Sequence, residues 1–256
     1  MEPLRKPLQG VWNIIRFNRH FYILAAVLVT GLLLASPYLK SPFSVLIVIF
    51  SCLVTLSTLV SLAISLYIYD LSGLYKLNWI NVTVLPATTH PILVNINAGF
   101  DETSALLQLK YPGALLTVYD FYDPQRHTEV SIKRARRAYP AFNGTVRIST
   151  AAIPLPDNYA DVVFLIFAAH EIRDKAGRDQ FFGELNRVLK PGCKIVLLEH
   201  LRDVPNFMAY NLGFFHFMSR QSWLSTFANA GLNIARETKF TPFTTNFVLS
   251  KNGNTN

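Results

Sequence analysis

Two stretches of this chain carry no charged residue, Phe21 to Leu39 and Ser41 to Tyr69. As helices they would be about 28 and about 40 Å long, against a bilayer hydrocarbon core of about 30 Å. Neither shows the polar stripe that a surface helix of a soluble domain needs. Between them, Pro37 and Pro42 flank Lys40 in a short segment that reads as a tight turn. A cleaved leader would account for the basic start, the first apolar run and the small residues Ala35 and Ser36. It leaves the second, longer run unexplained. A buried helical pair inside a soluble fold fits poorly with 29 consecutive uncharged residues. The pattern predicts a two-helix transmembrane hairpin over residues 21–70.

The flanking cations set its expected orientation. Arg5, Lys6, Arg16 and Arg19 precede the first run and Lys76 follows the second, with only Lys40 between them. Positive flanks face the cytoplasm, so both termini and the region after the hairpin are expected there. Trp12, Phe17, Phe21 and Tyr22 at one end, and Tyr67, Tyr69, Tyr75 and Trp79 at the other, suit an interfacial aromatic belt. Residues 1–20 mix cations with Val11, Trp12, Ile14 and Ile15 and read as a basic interfacial segment drawn to membrane lipid. Residues 71–90 read as a linker or interfacial helix.

Composition agrees. Only 16% of the 256 residues are charged and 51% are hydrophobic, where a soluble domain carries about 25% charged residues. Cys52 and Cys193 cannot build a disulfide framework. With six scattered histidines, no metal-ligand spacing stands out and no metal is expected.

From about residue 90 short apolar runs alternate with amphipathic ones. Strands are expected at Ile92–Ile96, Ala114–Tyr119, Thr145–Ser149, Asp161–Phe167 and Lys194–Glu199, with a last pair at Asn233–Glu237 and Phe243–Leu249. Helices are expected at Ser104–Lys110, Glu129–Ala138, Lys175–Leu189 and Trp223–Ala230. This alternation predicts a mostly parallel sheet with helices on both faces. Ligands of such sheets sit at the carboxyl ends of the strands.

Two segments narrow the fold further. Ile153-Pro154-Leu155-Pro156-Asp157-Asn158-Tyr159-Ala160-Asp161-Val162-Val163 resembles the "LPFPDxxFDVV" stretch of class I S-adenosylmethionine-dependent methyltransferases. Leu185-Asn186-Arg187-Val188-Leu189-Lys190-Pro191-Gly192 resembles their "RVLKPGG" turn. Order and spacing also match, and the small-molecule branch with the ubiquinone and menaquinone methyltransferases is the most similar subgroup. The resemblance covers residues 91–250 and implies an α/β, Rossmann-like seven-stranded sheet with a reversed last strand, here preceded by the hairpin.

The resemblance implies S-adenosylmethionine as cofactor and can be carried over by position. The family's "DxGxG" turn falls on Asn95-Ile96-Asn97-Ala98-Gly99, where Gly99 matches and Asn95 and Asn97 depart. Asp120 matches the acid that holds the ribose; a plain turn residue is the alternative, since Asp123-Pro124 follows. Ser149 and Thr150 fall near the expected adenine position, and Phe167 beside the methyl donor.

A phenol or ring-carbon acceptor calls for a general base. The candidates are His170 and Glu171 after the fourth strand and Glu199 and His200 after the fifth. Glu171 pairing with Arg173, and a solvated His200, are the plainer alternatives. The aromatic stretch Phe207 to Met218 suits an apolar acceptor pocket, a bilayer contact or helix packing. Lys133-Arg134-Ala135-Arg136-Arg137 is the only basic run; a solvated helix face is its plain reading, and as a binding patch it suits lipid headgroups of the adjoining membrane rather than nucleic-acid phosphates, so no nucleic-acid partner is expected. The expected function is a membrane-anchored methyltransferase for a lipophilic small molecule. A non-catalytic binding module and an RNA or protein methyltransferase are the rival readings.

Overall fold

A computed structural model describes residues 5–80 and 84–252. Helix α1 (Gln9–Phe17) runs into α2 (Arg19–Ala35), a short turn follows, and α3 (Phe43–Leu66) returns antiparallel. α2 buries none of its residues, and Leu24, Val27, Leu34, Leu46, Leu53 and Leu56 all face outward. By length and composition both helices can cross a membrane.

The two runs differ in use. α3 buries Ser51 and Ser65, and Asn211 Nδ2 donates to Ser57 Oγ at 2.6 Å, more than halfway along the helix. The last third of α3 therefore packs on the folded domain. α1 buries Gly10, Asn13 and Phe17 against the rest of the chain and leaves Trp12 exposed.

The remainder is one seven-stranded sheet in the order β3-β2-β1-β4-β5-β7-β6. The strands are β1 (Ile92–Asn97), β2 (Leu115–Asp120), β3 (Val146–Arg147), β4 (Ala160–Ile166), β5 (Leu189–Glu199), β6 (Leu232–Thr241) and β7 (Thr244–Lys251). β1 to β5 pair parallel, and β7 runs antiparallel to both β5 and β6. The helices of this region are α4 (Ser104–Lys110), α5 (Val130–Ala138), α6 (Lys175–Val188), α7 (Val204–Tyr210) and α8 (Arg220–Asn229). Fully buried Val162, Val163, Phe164 and Leu165 pack alternately into two core clusters, one on each face of the sheet. The expected strands and helices are found, with ends shifted by a few residues, β5 and β6 longer, and α7 in addition.

The two motifs that carry the resemblance grip each other. Arg187 donates to the Leu155 and Ile153 carbonyls at 2.8 and 2.9 Å and to Asp157 at 2.8 Å. Asp161 accepts from Ile92 N and Lys190 Nζ, both at 2.8 Å, tying together the starts of β1, β4 and β5. Leu189 already pairs with Ala160, and the ladder resumes with Lys194 opposite Val162. The intervening Lys190 to Cys193 bulge out around Gly192, whose φ of 78° suits glycine.

Candidate active site

The strand order reverses between β1 and β4, the place where open α/β sheets bind ligands. A cavity of about 220 Å³ lies there. Its floor is Asn95 to Ala98 at the end of β1 and Ile166 and Phe167 at the end of β4. Its roof is α1, through Asn13, Ile14 and Phe17, and its walls include Tyr69, Tyr75, Glu102 and Glu171. Both ends of the apolar hairpin thus converge on it.

The roof is tied down by charge. Glu102 accepts from Arg5 at 2.5 Å, Tyr75 at 2.6 Å and Asn13 at 3.3 Å. Asp70 accepts from the backbone of Gly10 and Val11 at the start of α1. Helix packing here requires Gly10: a Cβ would overlap Tyr69 Cβ and come within 2.9 Å of Asp70 Oδ2. None of these tethers was visible in the sequence, because their partners lie 27 to 97 positions apart.

The residues expected to hold the cofactor divide into three groups. Asn95 is buried and donates to Thr103 Oγ1 and Ser104 Oγ, so it fastens the start of α4. Asn97 accepts from Gly99 N at 2.9 Å, while its Nδ2 is buried with no hydrogen-bond partner among the described residues. Gly99 (φ 100°) and Asp120 border a second, smaller hollow of about 50 Å³ that Asn97 also lines. There Arg136 donates to Asp120 Oδ2 at 2.6 Å and to the Gly99 carbonyl at 3.1 Å, with its guanidinium over Tyr122. Ser149 and Thr150 border neither hollow; Ser149 forms an isolated bridge with Ala152. The basic run is partly consumed inside the fold. Besides Arg136, Arg134 donates to the Phe17 carbonyl at 2.6 Å, which leaves Lys133 and Arg137 exposed.

The four catalytic candidates also separate. Glu171 borders the cavity. Directly behind it, His170 Nδ1 lies 2.7 Å from Glu199 Oε2, and Glu199 is fully buried. Burial alone would lower the His170 pKa, but Glu199 and Glu171 carry it up to about 10. For Glu171 burial works upward, yet hydrogen bonds to His170 and His216 hold the carboxyl far below the usual range. His200 is elsewhere: it stacks between Phe167 and Phe217, with ring centroids 4.8 Å away on each side. Its Nδ1 meets the Phe243 carbonyl at 2.9 Å and so must carry the proton, leaving Nε2 to accept from Tyr69 O–H at 2.9 Å. Burial pushes its pKa down to about 4, against the carbonyl's opposing pull. His200 is a neutral packing residue, not a solvated loop group.

Comparison with known proteins agrees with this architecture. Residues 99–197 match the model of the methyltransferase domain family. The chain carries an S-adenosylmethionine-dependent methyltransferase domain. A ubiquinone/menaquinone biosynthesis C-methyltransferase of Shewanella sp. (strain W3-18-1) is 32% identical over 83 residues, which is 32% of each chain. This chain thus matches about a third of the length of that curated relative. An O-methyltransferase family 2 protein from Planctomyces limnophilus, solved with apigenin, shares the fold at TM-score 0.52 and 14% identity. That match covers 83% of this chain and 70% of the other. Human N-acetylserotonin methyltransferase, solved with S-adenosylmethionine, shares it at TM-score 0.51 and 16% identity, over 77% and 55% of the two chains.

The methyltransferase domain suits its donor on one side. The larger cavity sets Glu171 and the rings of Phe17, Tyr69, Tyr75, Phe100 and Phe167 around a space fit for a cationic sulfur. The free Asn97 Nδ2 offers a buried hydrogen-bond donor. On the other side Arg136 holds Asp120 at 2.6 Å, so any hydroxyl that bonded to Asp120 there would have to replace that contact.

Proposed function

We propose that this protein is a membrane-anchored methyltransferase that methylates a lipophilic, membrane-associated small molecule. The division behind this reading is a roof helix and hairpin over residues 5–70, a connecting segment to about residue 90, and the catalytic domain from 91 to 250. The observation that carries it is the position of the cavity. It opens at the β1–β4 switch point, yet Phe17, Asn18 and Tyr69, at the two feet of the apolar hairpin, line it. A soluble acceptor would gain nothing from that arrangement. An acceptor dissolved in the bilayer reaches the cavity along the hairpin.

Bound S-adenosylmethionine supplies an activated methyl group on a sulfonium. The chain's own contribution is to orient, to exclude water and to handle a proton. α1 closes the cavity from above, which strengthens the electrostatics inside it. A hydroxyl that gains a methyl group becomes strongly acidic, and the Glu171 carboxylate at the wall is placed to take that proton, the other carboxylate there, Glu102, being engaged by Arg5, Tyr75 and Asn13. His170 and Glu199 hold Glu171 in position from behind.

Incubating the full chain, in vesicles made from its host membranes, with isotopically labelled donor tests this. The expected result is one lipid-extractable compound heavier by one methyl group. Label found solely in water-soluble products would overturn the choice of acceptor.

A further inference from the structure

His170 and Glu171 meet a third residue that sequence reasoning did not connect with them. His216 ends the 3-10 turn Asn211–His216 and lies 45 positions beyond Glu171, yet their ligand atoms converge. We propose that His170 Nε2, the Glu171 carboxylate and His216 Nε2 bind one divalent metal ion of the zinc or iron(II) class.

The distances carry the inference. Glu171 Oε1 is 3.4 Å from His170 Nε2 and 3.5 Å from His216 Nε2. Direct N–H···O bonds lie at about 2.7–3.2 Å. Ligands about 2.0–2.2 Å from a tetrahedral zinc lie roughly 3.3–3.5 Å from one another. The three ligand atoms all fall within 4.8 Å of one another, and His216, on an irregular turn with its side chain 27% exposed, has room to close the remaining gap.

The surroundings have the second layer that metal histidines carry. His170 Nδ1 meets Glu199 Oε2 at 2.7 Å, and His216 Nδ1 meets Glu129 Oε1 at 3.1 Å. A carboxylate on each Nδ1 fixes the tautomer that turns the Nε2 lone pair toward the shared point. Charge points the same way. Glu129, Glu171 and Glu199 bring three negative charges, and Arg173 is the fixed cation beside them. Once the ion has displaced the imidazole protons, a double negative charge is left for it to balance. Arg173 stands against the His216 ring, with Nη2 2.8 Å from Nε2, and yields to the ion by turning into solvent, where its side chain is already 41% exposed.

Three protein ligands leave an open coordination position. Because Glu171 also borders the cavity, the ion stands at the cavity wall, within reach of an acceptor oxygen. Binding of the ion requires neither donor nor acceptor.

The test uses the full chain in detergent, stripped with chelator, re-equilibrated with zinc, and analysed by mass spectrometry for metal per chain. One zinc per chain is expected. His216→Ala should lose it, His216→Cys should keep it because a thiolate is a good zinc ligand, and Glu199→Gln should weaken it roughly 10–100-fold. Absence of bound zinc in the unmodified chain, or zinc retained in full by His216→Ala, overturns the site. Calorimetry with S-adenosylmethionine on the stripped protein reads donor binding separately, so failure of the metal site and failure of the methyltransferase reading are distinguishable. Where His216→Ala does not fold, the His216→Cys and Glu199→Gln pair decides: equal affinity in both and in the parent overturns the proposal.

Discussion

Asp70 holds Gly10. Its Oδ1 accepts the Gly10 backbone N–H and its Oδ2 the Val11 N–H, each at 2.8 Å. The first turn of α1 contains no acidic residue and Leu8 supplies no side-chain cap. The carboxylate from the end of the second apolar run therefore does the capping, and in doing so pins the roof of the cavity to the hairpin.

Asp70→Ala removes a cap worth about 1 kcal/mol and should loosen α1 without unfolding the sheet. Hydrogen exchange at residues 9–17 is expected to speed up about fivefold, which is what that energy amounts to. Gly10→Val, which collides with Tyr69, should do more. Unchanged exchange in both variants would show that α1 is held by its apolar face alone.

Arg136 and Asp120 give the second prediction. The ion pair is 2.6 Å long, with the two side chains 22% and 5% exposed. A charge-assisted bond of this kind contributes about 1.5–3 kcal/mol, and a ribose that needs Asp120 has to replace it. Arg136→Ala should therefore tighten S-adenosylmethionine binding by about tenfold in calorimetry. Weaker binding would instead mean that Arg136 positions Asp120 for the ribose.

The parts of the molecule legible in the sequence are those whose partners are close or whose pattern repeats. The β/α alternation gave the sheet, and the Ile153–Val163 and Leu185–Gly192 segments located its scaffold, where Arg187 clasps Leu155 and Asp157. Those segments stand away from the chemistry. The cavity's roof and outer wall are built by Asn13, Phe17, Tyr69 and Tyr75, which come from the region before the family pattern begins. His216 was hidden for the same reason: its contact with Glu171 is made by a crossover, not by spacing. Burial, too, is invisible along the chain, so His200 read as a loop residue although it is 3% exposed.

Glu171 is the carboxylate at the cavity wall that lies beside His170. Glu171→Gln keeps its size and removes its charge. Turnover is expected to fall by about 10²–10⁴, the range for loss of a positioned acid–base group, a larger loss than any weakening of donor binding. Single-turnover rates set beside calorimetry separate the two. A variant with full turnover would remove Glu171 from the chemistry.

His200 gives a pH prediction. Its folded pKa is depressed to about 4 from an ordinary 6.5. Between those values the unfolded chain binds the extra proton and the folded chain does not, so this residue's contribution to stability is present above about pH 6.5 and is lost as pH falls toward 4. The shift corresponds to at most about 3 kcal/mol. His200→Gln has nothing to titrate at that position. The stability difference between the parent and this variant, from thermal unfolding at pH 7 and pH 4.5, should therefore shift against the parent at the lower pH. A difference that stays constant with pH would mean that His200 is charged in the folded protein.

Membrane insertion is tested most directly at Cys52. In the fold this thiol is exposed, on the outward surface of α3. In water, that exposure would leave it open to a charged maleimide. In a bilayer the same surface faces hydrocarbon, and a charged reagent does not reach it. The expected result on native membranes is no labelling of Cys52, with labelling restored once the protein is denatured in detergent. Tyr38 lies in the turn between α2 and α3 and is 89% exposed. A Tyr38→Cys variant should be labelled by the charged reagent added outside intact cells, because the flanking cations place that turn on the non-cytoplasmic side. Labelling of Cys52 in sealed, native membranes would show that the hairpin lies outside the bilayer, and with it the route by which a lipophilic acceptor reaches the cavity would be lost.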